Sequence, residues 1–190
     1  MLTDIIPTKN RSTGIKTYSG NKSFFATHNF KKVKVYESFN DAQTKLRLYI
    51  DKHEIARYFP KVIGVEDKLI IEEFLIATGP VIKSDVIEFH NQLLNVPYTG
   101  MTWDYLDFIY NRVGLKKPNF NLPLRVNHND LTKDNIFNVD GQIKIVDNEM
   151  LAMNDGWILN YLNSWNMLDN IIIPGVPIDK IWKVRRSWKK

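Results

Sequence analysis

The chain has 190 residues, with 26 Lys and Arg against 21 Asp and Glu, a formal net charge of +5 and no cysteine. The missing cysteine excludes disulfides, thiolate zinc sites and a cysteine nucleophile, while 44% hydrophobic and 12% aromatic residues exclude a chain too polar to build a core. No apolar run approaches the roughly 20 residues of a membrane span, and the opening MLTDIIPTKN lacks the basic and apolar regions of a signal peptide, so a soluble, cytoplasmic protein is expected.

The charge is unevenly placed. Residues 1–61 hold 12 basic and 5 acidic side chains, residues 62–179 hold 8 and 16, and residues 180–190 hold six basic and none acidic. Without that tail the balance is −1, so the positive excess is a property of the C-terminus rather than of a nucleic-acid-binding body.

In chain order, residues 22–26 and 30–36 read as strands about a turn at Thr27-His28-Asn29. Period-two alternation in FKKVKVY places Val33 and Val35 on one face, Lys32 and Lys34 on the other. Asn40 or Asp41 caps a helix over 42–52 with Leu46, Tyr49 and Ile50 on one stripe. Pro60 ends it, and 61–65 and 68–75 read as strands around Glu66-Asp67. Thr78-Gly79-Pro80 is the strongest breaker and divides the chain into 1–78 and 79–190. Beyond it the period becomes helical: 85–94, with Ser84 or Asp85 as cap, and 103–113, striped by Trp103, Leu106, Ile109 and Tyr110. Strands at 136–139 and 142–146 flank an Asp140-Gly141 hairpin turn, and a last helix is expected over 157–168. Trp103, Trp157 and Trp165 are read as core residues, and His28, His53 and His90 show no metal spacing.

Chemistry concentrates in His128-Asn129-Asp130-Leu131-Thr132-Lys133-Asp134-Asn135 and, after the hairpin, Asp147-Asn148-Glu149. Asp130 and Asn135 stand five positions apart in a loop, and the hairpin can return Asp147 to the side of Asn135. Such hard oxygen donors suit Mg²⁺, held by one or two carboxylates plus substrate phosphates. Asp130 is then left to accept a proton or orient a hydroxyl nucleophile. Glu149 is either a third acidic group by the metal or a salt-bridge partner.

At these residues the sequence resembles the aminoglycoside phosphotransferase and choline kinase group, whose loop reads His-x-Asp-Leu-x-x-x-x-Asn and whose metal motif reads Ile-Asp-x-Glu. The resemblance implies an α+β, two-lobed protein-kinase-like fold: a small antiparallel-sheet lobe with one helix, then a mainly helical lobe carrying the catalytic-loop hairpin. It implies ATP and Mg²⁺ as cofactors, Asp130 as catalytic base, His128 as the brace of the loop, and Asn135 and Asp147 as metal ligands. Lys34 matches the strand lysine on the α and β phosphates, with Lys32 as its rival. The segment around Gly20 and Ser23 occupies the place of the phosphate-covering loop, and Glu73 and Leu75 lie in the hinge whose backbone receives adenine.

The sequence departs from the pattern in three places: the covering loop has Gly20 alone, Lys45 stands where a helix glutamate should pair with Lys34, and neither Phe-Gly nor Ala-Pro-Glu follows Asp147. Asp41 or Glu37 are the substitutes for that glutamate. The resulting expectation is a phosphotransferase acting on a hydroxyl of a small molecule or glycan. A protein kinase, including an autophosphorylating or toxin-like one, and a non-catalytic nucleotide-binding pseudokinase are the alternatives. Asp104, Asp107, Asp155 and Asp169 are candidates to attract a cationic acceptor. The tail, alternating basic residues with Trp182 and Trp188, suits either a solvated terminus or an anionic membrane surface, and nothing resembles a nucleic-acid-binding fold.

Overall fold

Val33 and Val35 are fully buried, as the alternation in their strand requires. A computed structural model describes residues 2–7, 21–112, 114, 116–117 and 119–157, and the architecture is α+β. Five strands, β1 (Leu2–Pro7), β2 (Ser23–His28), β3 (Lys31–Glu37), β4 (Val62–Glu66) and β5 (Leu69–Glu73), form one sheet in the order β1-β2-β3-β5-β4. Each neighbouring pair is antiparallel. Val33 and Val35 pack with Phe24, Ala26 and Ile71 on one face of this sheet, which turns Lys32 and Lys34 to the other. The β2–β3 turn falls on Asn29 and Phe30, both at positive φ, one residue beyond the expected position. Strand β5 stops at Glu73 rather than Leu75, so Phe74 and Leu75 leave the sheet.

Helix α1 (Asp41–Asp51) starts as predicted: the Asn40 side chain accepts the Gln43 N–H. Its apolar stripe does not pack on the sheet core. Leu46 and Ile50 join a larger core with Ile55 and Phe59, with Val86, Phe89 and Leu93 of helix α2 (Lys83–Leu94), and with Ile145 and Leu151. Tyr49, expected on that stripe, is only partly buried, and its hydroxyl donates to the Pro97 carbonyl.

Helix α2 begins after Ile82, which supplies no side-chain cap. Ser84 and Asp85, expected as caps, lie in the first turn, where Asp85 complements the positive helix end. The Asp104 carboxylate accepts the N–H groups of Leu106 and Asp107, so α3 (Tyr105–Arg112) starts two residues later than expected. Trp103 therefore stands outside the helix and stacks on Phe39 at 4.8 Å between ring centres.

Two small sheets complete the described residues: β6 (Arg125–Asn127) with β9 (Ala152–Asn154), and the expected hairpin β7 (Ile136–Val139) with β8 (Gln142–Ile145). The hairpin turns through Asp140 and Gly141, both at positive φ, as an Asp-Gly turn requires. Thr78-Gly79-Pro80 is stitched to this hairpin: the Thr78 N–H donates to Asn138 O at 2.7 Å, and the Asn138 amide donates to Pro80 O at 2.7 Å. The covering-loop segment with Gly20, the expected helix beyond Trp157 and the basic tail lie outside the described residues. Among the described residues no helix is long and apolar enough to cross a membrane.

Candidate active site

Strand β6 delivers His128, Asn129 and Asp130. His128 is fully buried, and its Nε2 lies 3.1 Å from the Val146 carbonyl. Burial pushes its pKa down to about 4, against the opposing pull of the Asp147 charge, so the ring is neutral near pH 7 and Nε2 donates to the carbonyl. This contact ties the loop to the residue that follows the hairpin.

Asn129 adopts positive φ and extends this tie. Its amide donates to Met150 O at 2.8 Å, while its Oδ1 accepts from Asn127 at 2.9 Å and Asn154 at 2.8 Å. Three asparagines thus tie the loop to β9, a network that no spacing rule signals because Asn154 lies 25 and 27 residues from the other two.

Asn135 donates from Nδ2 to both the carbonyl (2.8 Å) and Oδ2 (2.9 Å) of Asp130. Its own carbonyl accepts the Val146 N–H at 2.9 Å, which sets Asn135 beside Asp147. With Nδ2 turned to Asp130, the Asn135 side-chain oxygen is the atom available to a cation.

Asp147 meets the sheet. Lys34 Nζ lies 2.9 Å from Asp147 Oδ1 across 113 residues of sequence, with the two side chains 14% and 30% exposed. The partner predicted for Lys34 on α1 is not there: Lys45 and Asp41 are exposed, and Glu37 accepts the Lys22 N–H. Helix α1 instead contributes Arg47 and Gln43, both buried. Arg47 Nε donates to Glu72 Oε1 at 2.6 Å, and Tyr36 and Asn148 donate to the same carboxylate, each at 3.3 Å. Burial works against the Arg47 charge, yet Glu72 and its neighbours raise its pKa, so the pair is ionised. Gln43 Nε2 donates to the carbonyls of Glu149 (2.8 Å) and Leu151 (3.3 Å).

Lys34, Asn135 and Asp147 line one cavity of about 500 Å³, with Phe25, Phe74, Leu75, Phe137 and Val146 as its apolar wall. The cavity therefore pairs a charged end with an apolar end of aromatic and aliphatic side chains. Lys32 lines it as well, its Nζ 4.0 Å from the centre of the Phe74 ring. Asp130 and His128 stand behind Asn135 and Val146 rather than on the lining. Glu73 turns its carboxylate to the Lys61 N–H at 2.9 Å, and Ser23 is fully buried at the start of β2, so neither side chain reaches the lining. Phe25, Phe137, Val146 and Ile6, which do reach it, went unread in the sequence because they come from four separate segments: β1, β2, β7 and the residue after β8.

The acidic residues named for a cationic acceptor have partners of their own. Lys117 Nζ lies 2.6 Å from both Asp104 and Asp155, and Asp107 accepts from the Asn111 amide. Burial opposes the Lys117 charge, but hydrogen bonds to Asp104 and Asp155 raise its pKa, so this acidic pair already shares one lysine charge. Asp169 lies outside the described residues.

Among the described residues no group of three His, Cys, Asp or Glu could hold a metal on its own. Asp147 and the Asn135 oxygen nevertheless fit Mg²⁺, which takes one or two protein oxygens and completes its shell with water and phosphate.

A sheet carrying a lysine, a helix behind it and a loop-hairpin unit bearing Asp, Asn and Asp define an α+β protein with a cleft between sheet and loop. No family model matches the sequence, and no curated protein does. Among solved structures the chain is similar to the aminoglycoside phosphotransferase APH(2")-IIa in its gentamicin complex, at 12% identity and a TM-score of 0.46, covering 74% of this chain and 65% of that one. It is also similar to a choline/ethanolamine kinase family protein from Mesorhizobium loti, at 14% identity and TM-score 0.44, with 71% and 57% covered. A choline kinase from Cryptosporidium parvum gives 16% identity and TM-score 0.43, with 74% and 58% covered. The chain thus spans 57–65% of the lengths of these proteins.

Proposed function

We propose that the protein is a kinase-like phosphotransferase that moves the γ-phosphoryl group of ATP to a hydroxyl of a small molecule or glycan. The observation that carries this reading is the convergence of Lys34, Asn135 and Asp147 on one 500 Å³ cavity with an apolar wall. The cavity's charged end suits a triphosphate and its apolar wall a base; Asn135 and Asp147 are residues of the motif segments, and Lys34 is the strand lysine that the resemblance names.

Phosphoryl transfer needs positioning and charge neutralisation more than covalent chemistry from the protein. Lys34 presents a compact ammonium to phosphate oxygens. Asn135 and Asp147 are the residues that would hold Mg²⁺, and the chemistry it would supply there is neutralisation of phosphate charge. Asp130, with Oδ2 fixed by the Asn135 amide, accepts the proton of the acceptor hydroxyl as its oxygen bonds to the γ-phosphorus and ADP leaves. The buried, neutral His128 holds that loop and takes no proton in the reaction.

ATP consumption with Mg²⁺, screened against amino sugars, choline-like amines and sugar or lipid intermediates, tests the reading. Asp130→Asn is expected to lower kcat by about 10²–10⁴-fold with ATP affinity little changed. Turnover undiminished in that variant removes Asp130 from its role. Labelled ATP appearing on protein substrates favours a protein kinase, and ATP binding with no turnover on any acceptor favours a pseudokinase.

A further inference from the structure

Every residue from Val146 to Leu151 except Asp147 itself is gripped through its backbone carbonyl or side-chain amide, and Asp147 is gripped through its carboxylate. His128 and Asn129 hold Val146 and Met150 from the catalytic loop. The remaining grips come from the sheet and α1: Lys34 on Asp147, Glu72 on Asn148, Gln43 on Glu149 and Leu151. Lys34 and Glu72 are directly paired residues of β3 and β5, so two cross-strand neighbours take hold of two consecutive residues of this segment.

Of these grips the one at Asn148 is the most heavily built. Its amide donates to both oxygens of Glu72 and to the Ile145 carbonyl, all at 3.3 Å. Glu72 is itself 1% exposed and fixed by Arg47, which is 0% exposed. A buried ion pair is on average no more stable than apolar side chains of the same size. Its presence here beside the candidate metal carboxylate therefore calls for a reason other than stability, and orientation of Asn148 supplies one: the direction of Asp147 is set by the residue bonded to it.

We infer that Arg47 and Glu72, acting through Asn148, are positioning residues that aim Asp147 at its cation, so that α1 governs the metal carboxylate from behind while Lys34 contacts it from the front. The inference rests on the reading of Asp147 as a Mg²⁺ ligand. It assigns to Arg47, away from the cavity lining, and to Glu72, which borders the cavity but is held by that arginine, the task of orienting a ligand rather than touching the cation. Groups that orient a metal ligand typically change metal affinity by about 10–100-fold when removed.

The test is ATP binding by calorimetry to the full chain, with Mg²⁺ and with EDTA, for the wild type, Asn148→Leu and Arg47→Met/Glu72→Met. The last variant replaces both charges and leaves neither unpaired. Both variants are expected to lose about tenfold or more of the Mg²⁺-dependent gain in ATP affinity while binding in EDTA stays within about twofold. A generally loosened fold would weaken both conditions alike, and that result overturns the inference, as does a folded variant that keeps the full Mg²⁺ gain. If Asn148→Leu does not fold, the double variant decides. Wild-type protein with no Mg²⁺-dependent gain overturns the metal-site reading itself, an outcome distinct from any difference among variants.

Discussion

Replacing Arg47 by methionine while leaving Glu72 in place leaves a buried carboxylate without its cationic partner. Glu72 is 1% exposed, and without Arg47 its carboxylate keeps only the Tyr36 hydroxyl and the Asn148 amide, both at 3.3 Å. An uncompensated buried charge costs about 3–5 kcal/mol. The Pro60 carbonyl also loses the Arg47 Nη2 donor, which adds about 1 kcal/mol. In a chain of this size each kcal/mol moves Tm by about 2–4 °C, so Arg47→Met is expected to lower Tm by about 8–24 °C. Arg47→Met/Glu72→Met removes both charges and is expected to recover most of that loss, since buried pairs exchange for apolar side chains at little cost. Thermal unfolding followed by circular dichroism gives the Tm shifts, and urea unfolding gives the free energies. A single variant that loses less than about 1 kcal/mol, or a double variant as unstable as the single, refutes the account of Glu72 as a carboxylate dependent on Arg47.

Two further outcomes follow from the same geometry. Lys34→Met is expected to weaken ATP binding by about 10–100-fold, the worth of charge-assisted hydrogen bonds to phosphate; because the Lys34–Asp147 pair is partly exposed, it should change stability by less than about 1 kcal/mol, which calorimetry and urea titration separate. His90, fully buried on α2, has its pKa lowered to about 3 by burial. The unfolded chain takes up its proton near pH 6.5, so the stability due to neutral His90 is complete above that pH and is lost as pH falls toward 3. Between pH 7.5 and 5 the wild type should lose about 2 kcal/mol more than His90→Leu, and equal losses in urea titrations at the two pH values would contradict this.

How much of this was legible in the sequence depends on how local each signal is. The β3 alternation, the Asn40 cap and the Asp140-Gly141 turn need only a few neighbouring residues, and they stand where the sequence puts them. The α2 cap was misplaced because Ser84 and Asp85 satisfy a capping pattern equally well from within the first turn. Strand β1 was missed because its bulge between Thr3 and Ile6 breaks the period, and β6 and β9 because three-residue strands carry no period at all. At the site, Asn135 and Asp147 were readable from motif spacing and Lys34 from the family resemblance, and all three line one cavity. The partners of the missing helix glutamate were not: Arg47 and Gln43 look like ordinary polar residues of a surface helix, and only the fold shows α1 turned inward at both.

Asp147 sits at φ 62°, in the left-handed region. Most side chains lose about 1–2 kcal/mol there, while Asp, Asn and Gly visit it routinely. On the proposed reading, position 147 is thus restricted twice, by the carboxylate that would hold a cation and by a backbone that excludes most replacements. Alanine there removes the charge and strains the chain together, so its effect mixes chemistry with conformation. Asparagine keeps the backbone and takes away only the charge. Glutamate keeps the charge and loses the backbone, which makes the chemically closest residue a poor conformational substitute.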